Sequence, residues 1–121
     1  MSTDRELLEM AAKAAGIKVP TKEDYPYAYI DQHGIHRDIS CGGDGSRMSH
    51  WNPLTDDVDA LRLAVKLRLN INFEEWDGAE YACAVPSKSH QGHDEVMGDD
   101  DGAATRRAIV RAAAEIGKAM V

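Results

Sequence analysis

Five histidines, two cysteines and two runs of aspartate are the side chains here with the most chemical reach. His90 and His93 have HxxH spacing, with Asp94 and Glu95 adjoining. Zinc needs three or four ligands converging on one point. This pair lies in a polar stretch with no flanking helix to fix its geometry, so a solvated loop is the stronger expectation. His33 and His36 flank a turn. They could meet His50 or Cys41 in space, although no spacing requires it. Cys41 stands in Ser-Cys-Gly-Gly-Asp-Gly. Glycine amides could serve an oxyanion there, and a histidine could serve as base. A nucleophilic thiol needs an ordered helix N-terminus or a fixed base. A glycine loop offers neither, so Cys41 reads as incidental. The same glycines lack the GK[ST] ending of a phosphate loop. Asp56, Asp57 and Asp59 do not keep the alternating acids and terminal Glu of a calcium loop, and neither do Asp99, Asp100 and Asp101. The first group is explained by a helix start and the second by a solvated turn.

Aromatic and basic residues raise a different possibility. Tyr25, Tyr27 and Tyr29 alternate, which would place three phenols on one face of a strand. Together with Trp51 they could stack on a base, while Arg106, Arg107 and Arg111 gripped a phosphate. That requires one shared cleft. The plainer expectation is that Trp51 anchors the core and that the arginines form an ion-paired helix face.

Elements must position these groups, and 121 residues are one domain's worth of chain. A hydrophobic fraction of 43% suffices for a core, and with one Phe and two Trp that core must lean on Ala, Leu, Ile and Val. The net charge of -7 argues against nucleic-acid affinity and favours, at most, a basic partner surface. Two cysteines without CxxC spacing suggest reduced thiols. The acidic start MSTDRELLEM is unlike a signal peptide, and no apolar run reaches membrane-spanning length. A soluble cytoplasmic protein is expected.

Residues 3–15 predict a first helix, with Thr3 and Glu6 in capping-box spacing and Gly16 as the stop. Its apolar stripe is Leu7, Met10, Ala11, Ala14 and Ala15. Residues 25–39 predict a hairpin turning at Asp31 to Gly34, with Pro26 marking an edge or a late strand start. Residues 40–49 read as a glycine loop and Trp51 to Leu54 as a turn. Thr55 is the expected N-cap of a second helix, with Val58, Leu61, Ala64 and Val65 on one face and Asn70 closing it. It is expected to be the most buried helix. Ile71 and Phe73 open a second hairpin through Asp77-Gly78, returning with Tyr81, Cys83 and Val85 on one face. A flexible polar loop follows at about 87–102, then a last helix over 103–119 carrying Ile109, Ala112, Ala113 and Ile116. The order α-β-β-α-β-β-α makes a single α+β layered domain over 1–121, with helices packed on a mostly antiparallel sheet.

Three stretches carry a resemblance: residues 5–16, the segment from Trp51-Asn52-Pro53-Leu54-Thr55-Asp56-Asp57 through Leu67, and residues 105–117. They resemble the phage ABA sandwich domain family, small proteins of phages and prophages. Val58 departs from the smaller residue, often glycine, expected at that position. The resemblance implies an α-β-α sandwich, phage or prophage origin and residence in a bacterial cytoplasm. It transfers no catalytic residue and no cofactor.

The first expectation for function is therefore a non-enzymatic phage accessory protein that binds a host or phage protein, with counter-defence among the roles open to it. A homo-oligomer fits Ala-rich helices and an edge strand. One alternative is a binder or sponge for a small ligand or signalling nucleotide. The other, ranked last, is a metal- or thiol-dependent enzyme built on the histidines and Cys41.

Overall fold

Thr3 starts the first helix as its spacing predicts. In the computed structural model, which describes residues 3–38, 48–86, 92–98 and 101–120, its hydroxyl accepts from the Glu6 amide at 3.2 Å. The Glu6 carboxylate meets the Thr3 hydroxyl at 3.3 Å instead of reaching the Thr3 amide. Helix α1 (Asp4–Ala14) buries Leu8, Ala11 and Ala12, a stripe rotated by about one residue from the expected one. Gly16 then takes a φ of +75°, the left-handed turn that glycine makes without a side-chain clash.

The tyrosine strand is corrected. Lys22–Asp24 form a short 3-10 helix and residues 25–27 a turn, so β1 (Ala28–Asp31) starts late. Proline has no amide to donate to a ladder, and Pro26 lies outside the strand for that reason. Only Tyr29 is in β1, while Tyr25 and Tyr27 are exposed in the turn. The hairpin itself holds, with β2 (Gly34–Asp38) antiparallel to β1 and Asp31 opposite Gly34. A third strand, β3 (Met48–Trp51), takes Trp51 out of the expected turn and pairs it with Ile35.

Helix α2 (Asp57–Leu67) is capped by Asp56, not Thr55. The Asp56 carboxylate accepts from the Val58 and Asp59 amides at 2.8 and 3.0 Å. It ends at Arg68, whose φ of 55° is left-handed, two residues before the expected stop at Asn70. Strands β4 (Leu69–Trp76) and β5 (Ala79–Pro86) form the second hairpin, joined by Asp77-Gly78 with φ values of 52° and 80°. Both positive values belong to the two-residue turn that matches strand twist. A further strand, β6 (His93–Val96), pairs with β5 inside the stretch expected to be a flexible loop. Its His-Asp-Glu-Val sequence suits an edge, where charge is tolerated and discourages stray pairing.

Three helices and two antiparallel three-stranded sheets give an α+β fold in the order α-β-β-β-α-β-β-β-α. Each expected strand pair has gained a third member, and the arrangement is consistent with the layered sandwich. The most buried helix is α3 (Asp101–Ala119), not α2. It buries Ala104, Ala108, Ile109, Val110 and Ala112 to Ala114 against α1, α2, β5 and β6. Small residues let α1 approach: a Cβ at Gly117 would overlap the Met10 carbonyl.

Candidate functional site

Two regions gather side chains that could act on something outside the molecule. The first is an apolar groove. Ala82 and Ala84 of β5 lie opposite Phe73 and Ile71 of β4 and are fully buried. Opposed residues share a face in an antiparallel pair, so Phe73 and Ile71 point to the helix side too. Helix α3 covers β5 and β6, but it barely touches β4. Phe73 is therefore 63% exposed. Helix α2 explains the other wall. It is apolar over much of its girth, and it buries Ala60, Leu63 and Ala64, with Leu67 partly buried against the core. Val58, Leu61 and Val65 form a second stripe at i, i+3 and i+7 and are 55%, 61% and 55% exposed. Between α2, β4 and α3 lies a groove of 570 Å³, walled by Ala60, Leu61, Ile71, Phe73, Met97 and Ile109. Asp57 and Arg106 line the same groove, paired at 2.6 Å.

The second region is a ladder of rings on the first sheet. Tyr25 meets Tyr29 edge-on at 6.0 Å. Tyr29 stacks on His36 at 4.5 Å, and His36 lies 4.8 Å from His50. The His36–His50 pair arises from the β2–β3 register, so the sequence reading that these histidines could meet is realised through a strand it lacked. Asp31 accepts from the His36 ring at 3.0 Å and from the His33 amide at 2.8 Å. Burial, the largest single influence, pushes the Asp31 pKa up, but these two hydrogen bonds together with the electrostatic attraction of His36 and His33 hold the carboxyl below its ordinary range. His50 donates through Nε2 to the His33 carbonyl at 2.6 Å.

Asn52 ties that ladder to the rest of the molecule. It is 2% exposed, the one buried polar residue among those described. Its amide donates to Asp59 at 2.9 Å, its side-chain nitrogen to the His33 carbonyl at 2.8 Å, and its side-chain oxygen accepts from Leu54 at 2.9 Å. Sequence reasoning passed over Asn52. The available signal was its place in Trp-Asn-Pro-Leu, where a side-chain amide commonly closes a turn on its own backbone.

The expected aromatic and basic groups do not share a cleft. Arg106 donates to the Leu54 carbonyl at 2.8 Å as well as to Asp57. Arg107 pairs with Asp4 at 2.9 Å, and Arg111 pairs with Glu95. All three guanidinium groups hold elements together. Trp51 is half-buried against the core. Tyr25 and Tyr29 instead line a 740 Å³ cleft whose cations are Arg5 and Lys22.

Thiol and metal chemistry fall differently. Cys83 is buried, and burial followed by the hydrogen bond and negative charge of Asp94 pushes its pKa up to about 11. Such a thiol stays protonated at neutral pH and is a poor nucleophile. Cys41, His90 and the His93 side chain lie outside the described residues. Among the described residues no three His, Cys, Asp or Glu side chains converge as a metal site requires. No described helix is long and apolar enough to cross a membrane. Compared with family models, with curated proteins and with solved structures, the chain matches none.

Proposed function

We propose that the protein is a small phage or prophage accessory protein that works in the bacterial cytoplasm by binding a host or phage protein, without catalysing a reaction. The observation that carries this reading is the uncovered groove between α2, β4 and α3. Leu61 and Phe73 on its walls, with Val58 and Val65 exposed on the same helix, keep apolar surface in water at a cost of about 25 cal/mol per Å². Folding alone gains nothing from that placement, whereas a partner that covers it does. The phage origin rests on the resemblance in the three helices.

Affinity capture from bacterial lysate at physiological salt tests the reading. A partner should be retained by the native chain and lost by Leu61→Gln with Phe73→Thr. Recovery of no partner, or equal recovery by the double variant, overturns it.

The Tyr25–Tyr29 cleft supports a second reading. Two aromatic faces near Arg5 and Lys22 suit a planar ligand carrying an acidic group, such as a nucleotide. Thermal-shift measurements with nucleotides should then raise the melting temperature of the native chain and not of Tyr29→Ala. An unchanged melting temperature across mono-, di- and cyclic nucleotides removes this reading.

A further inference from the structure

We infer that β4 receives an extended, basic segment of the partner protein as an added strand of the second sheet. This rests on the reading of the groove as a protein-binding face, and it names the chemistry of what enters.

The backbone comes first. In the strand order β4-β5-β6, β4 is an end strand of eight residues, against four in β6 at the other end. The two-residue Asp77-Gly78 turn makes Trp76 and Ala79 the closing hydrogen-bonded pair. Bonded pairs alternate along an antiparallel ladder. Asn72 and Glu74 therefore exchange bonds with β5, while Ile71, Phe73 and Glu75 turn their N–H and C=O groups outward. Native sheets usually blunt such an edge with charge, a proline, a bulge or a covering element, and the charge on β4 has one sign, so Glu74 and Glu75 repel an acidic strand and admit a basic one. β4 contains no proline, and its pairing with β5 runs unbroken from Leu69 to Trp76.

Side chains then restrict the occupant. A strand laid on β4 places alternate side chains beside Ile71 and Phe73, above the groove that Leu61 and Ile109 wall. Those positions call for apolar residues. At the turn end, Glu75 and Glu80 stand opposite each other on the face of Phe73 and flank a 220 Å³ pocket floored by Phe73 and Met97, while Glu74 turns to the other face beside Asn72. No ion pair joins either of these two carboxylates to a cation among the described residues. A lysine or arginine fits there, with its methylene stem on Phe73 and Met97 and its charged head among the glutamates. A second copy of this chain fits worse, because each copy carries a charge of -7 and brings the same glutamates to the seam.

The probe is a synthetic peptide of about eight residues, long enough to span one strand, with valine, valine and lysine at successive alternate positions of one face, for Ile71, Phe73 and the glutamate pocket, and threonine elsewhere. Titrated into the full chain, it should bind saturably. Amide exchange should slow at Ile71, Phe73 and Glu75, the outward positions, with little change at Asn72 and Glu74. The same peptide with glutamate for lysine should bind roughly tenfold more weakly or worse. A version with proline at alternate positions, which cannot make the ladder, should not protect those amides. Glu75→Lys with Glu80→Lys should reverse the charge preference, and circular dichroism checks that this variant is folded. The inference fails if the lysine peptide does not bind, if the glutamate or proline peptide binds as well, or if the chain forms a β4-paired dimer that the peptide cannot displace. Failure here with a groove-dependent partner still captured from lysate leaves the protein-binding reading standing. Peptide binding without any captured partner removes that reading and keeps the strand chemistry.

Discussion

The first sheet, β1 to β3, and the second, β4 to β6, have the same strand count and the same antiparallel order, yet their polar and apolar groups are settled in opposite ways. In the first, polar groups are satisfied internally. Asp31 is held by His36 and the His33 amide, and Asn52 bonds to the hairpin turn, to Asp59 and to Leu54. In the second, the centre is packed by Ala82, Cys83 and Ala84, and the outer strand leaves Phe73 in water and, among the described residues, an edge with no strand beside it. The difference separates conformational from functional surface. Buried polar bonds specify one geometry, because each lost partner strands a desolvated group. Exposed apolar surface specifies nothing internally and is available for a partner.

Substitutions in the first sheet should therefore unfold the chain, and the largest effect is expected at Gly34. It has a φ of +109°, and a Cβ there would overlap the Trp51 carbonyl and crowd Asn52. Both the backbone conformation and the space exclude a side chain. Gly34→Ala should cost about 3–5 kcal/mol in unfolding free energy, from strain and lost pairing together. Urea denaturation measures this, and a loss below about 1 kcal/mol would show that the β1–β2 turn is looser than its contacts require.

Asn52→Ala comes next. It removes the side-chain bonds to His33 and Leu54 and strands the Leu54 amide, while the His33 carbonyl keeps the His50 ring as donor. A destabilisation of about 2–3 kcal/mol is expected by the same measurement. Asn52→Asp should recover only part of it, since a carboxylate can accept from Leu54 but cannot donate to the His33 carbonyl.

How far each region was legible in the sequence follows the same division. The three helices and both hairpin turns were legible because Thr3, Gly16 and Asp77-Gly78 act locally, through caps and positive φ values that need no distant partner. β3 and β6 were not. Met-Ser-His-Trp and His-Asp-Glu-Val have little apolar alternation and become strands only by pairing with β2 and β5. The burial of α2 was misjudged for a related reason. Val58, Leu61 and Val65 have core-like spacing, and periodicity shows that a stripe exists without showing what covers it. The expected site failed at the arginines. Which of Asp4, Asp57 and Glu95 each guanidinium meets is set by helix packing, across separations of 103, 49 and 16 residues. Asn52 and the His36–His50 pair were hidden likewise, since both depend on β3.

A smaller effect is expected from pH. The Asp31 carboxyl is held below its ordinary range in the folded chain. Its contribution is thus fully present above the unfolded carboxylate value near 4 and is lost as pH falls through the lower folded value. Asp31→Asn should remove part of the fall in stability on the acid side. The side chain is 36% exposed, so solvent screening keeps the effect small. Thermal melts between about pH 2 and 5 bracket that window. An unchanged acid limb in the variant would mean that the His36 contact contributes no net stability.

The smallest effect tests the second sheet most directly. Phe73 is 63% exposed and Leu61 61% exposed, on facing walls of one groove. Large apolar side chains usually contribute a few kcal/mol when removed from a core. These two have little buried area to lose. Phe73→Thr keeps strand propensity and Leu61→Gln keeps helix propensity. Each should therefore change unfolding free energy by no more than about 0.5 kcal/mol. A loss above about 2 kcal/mol at either position would mean that the groove is closed in solution and packed as core. The two sheets would then be settled alike, and the groove would be spent on folding. Near-neutral stability together with loss of partner or peptide binding is the outcome that assigns this surface to recognition.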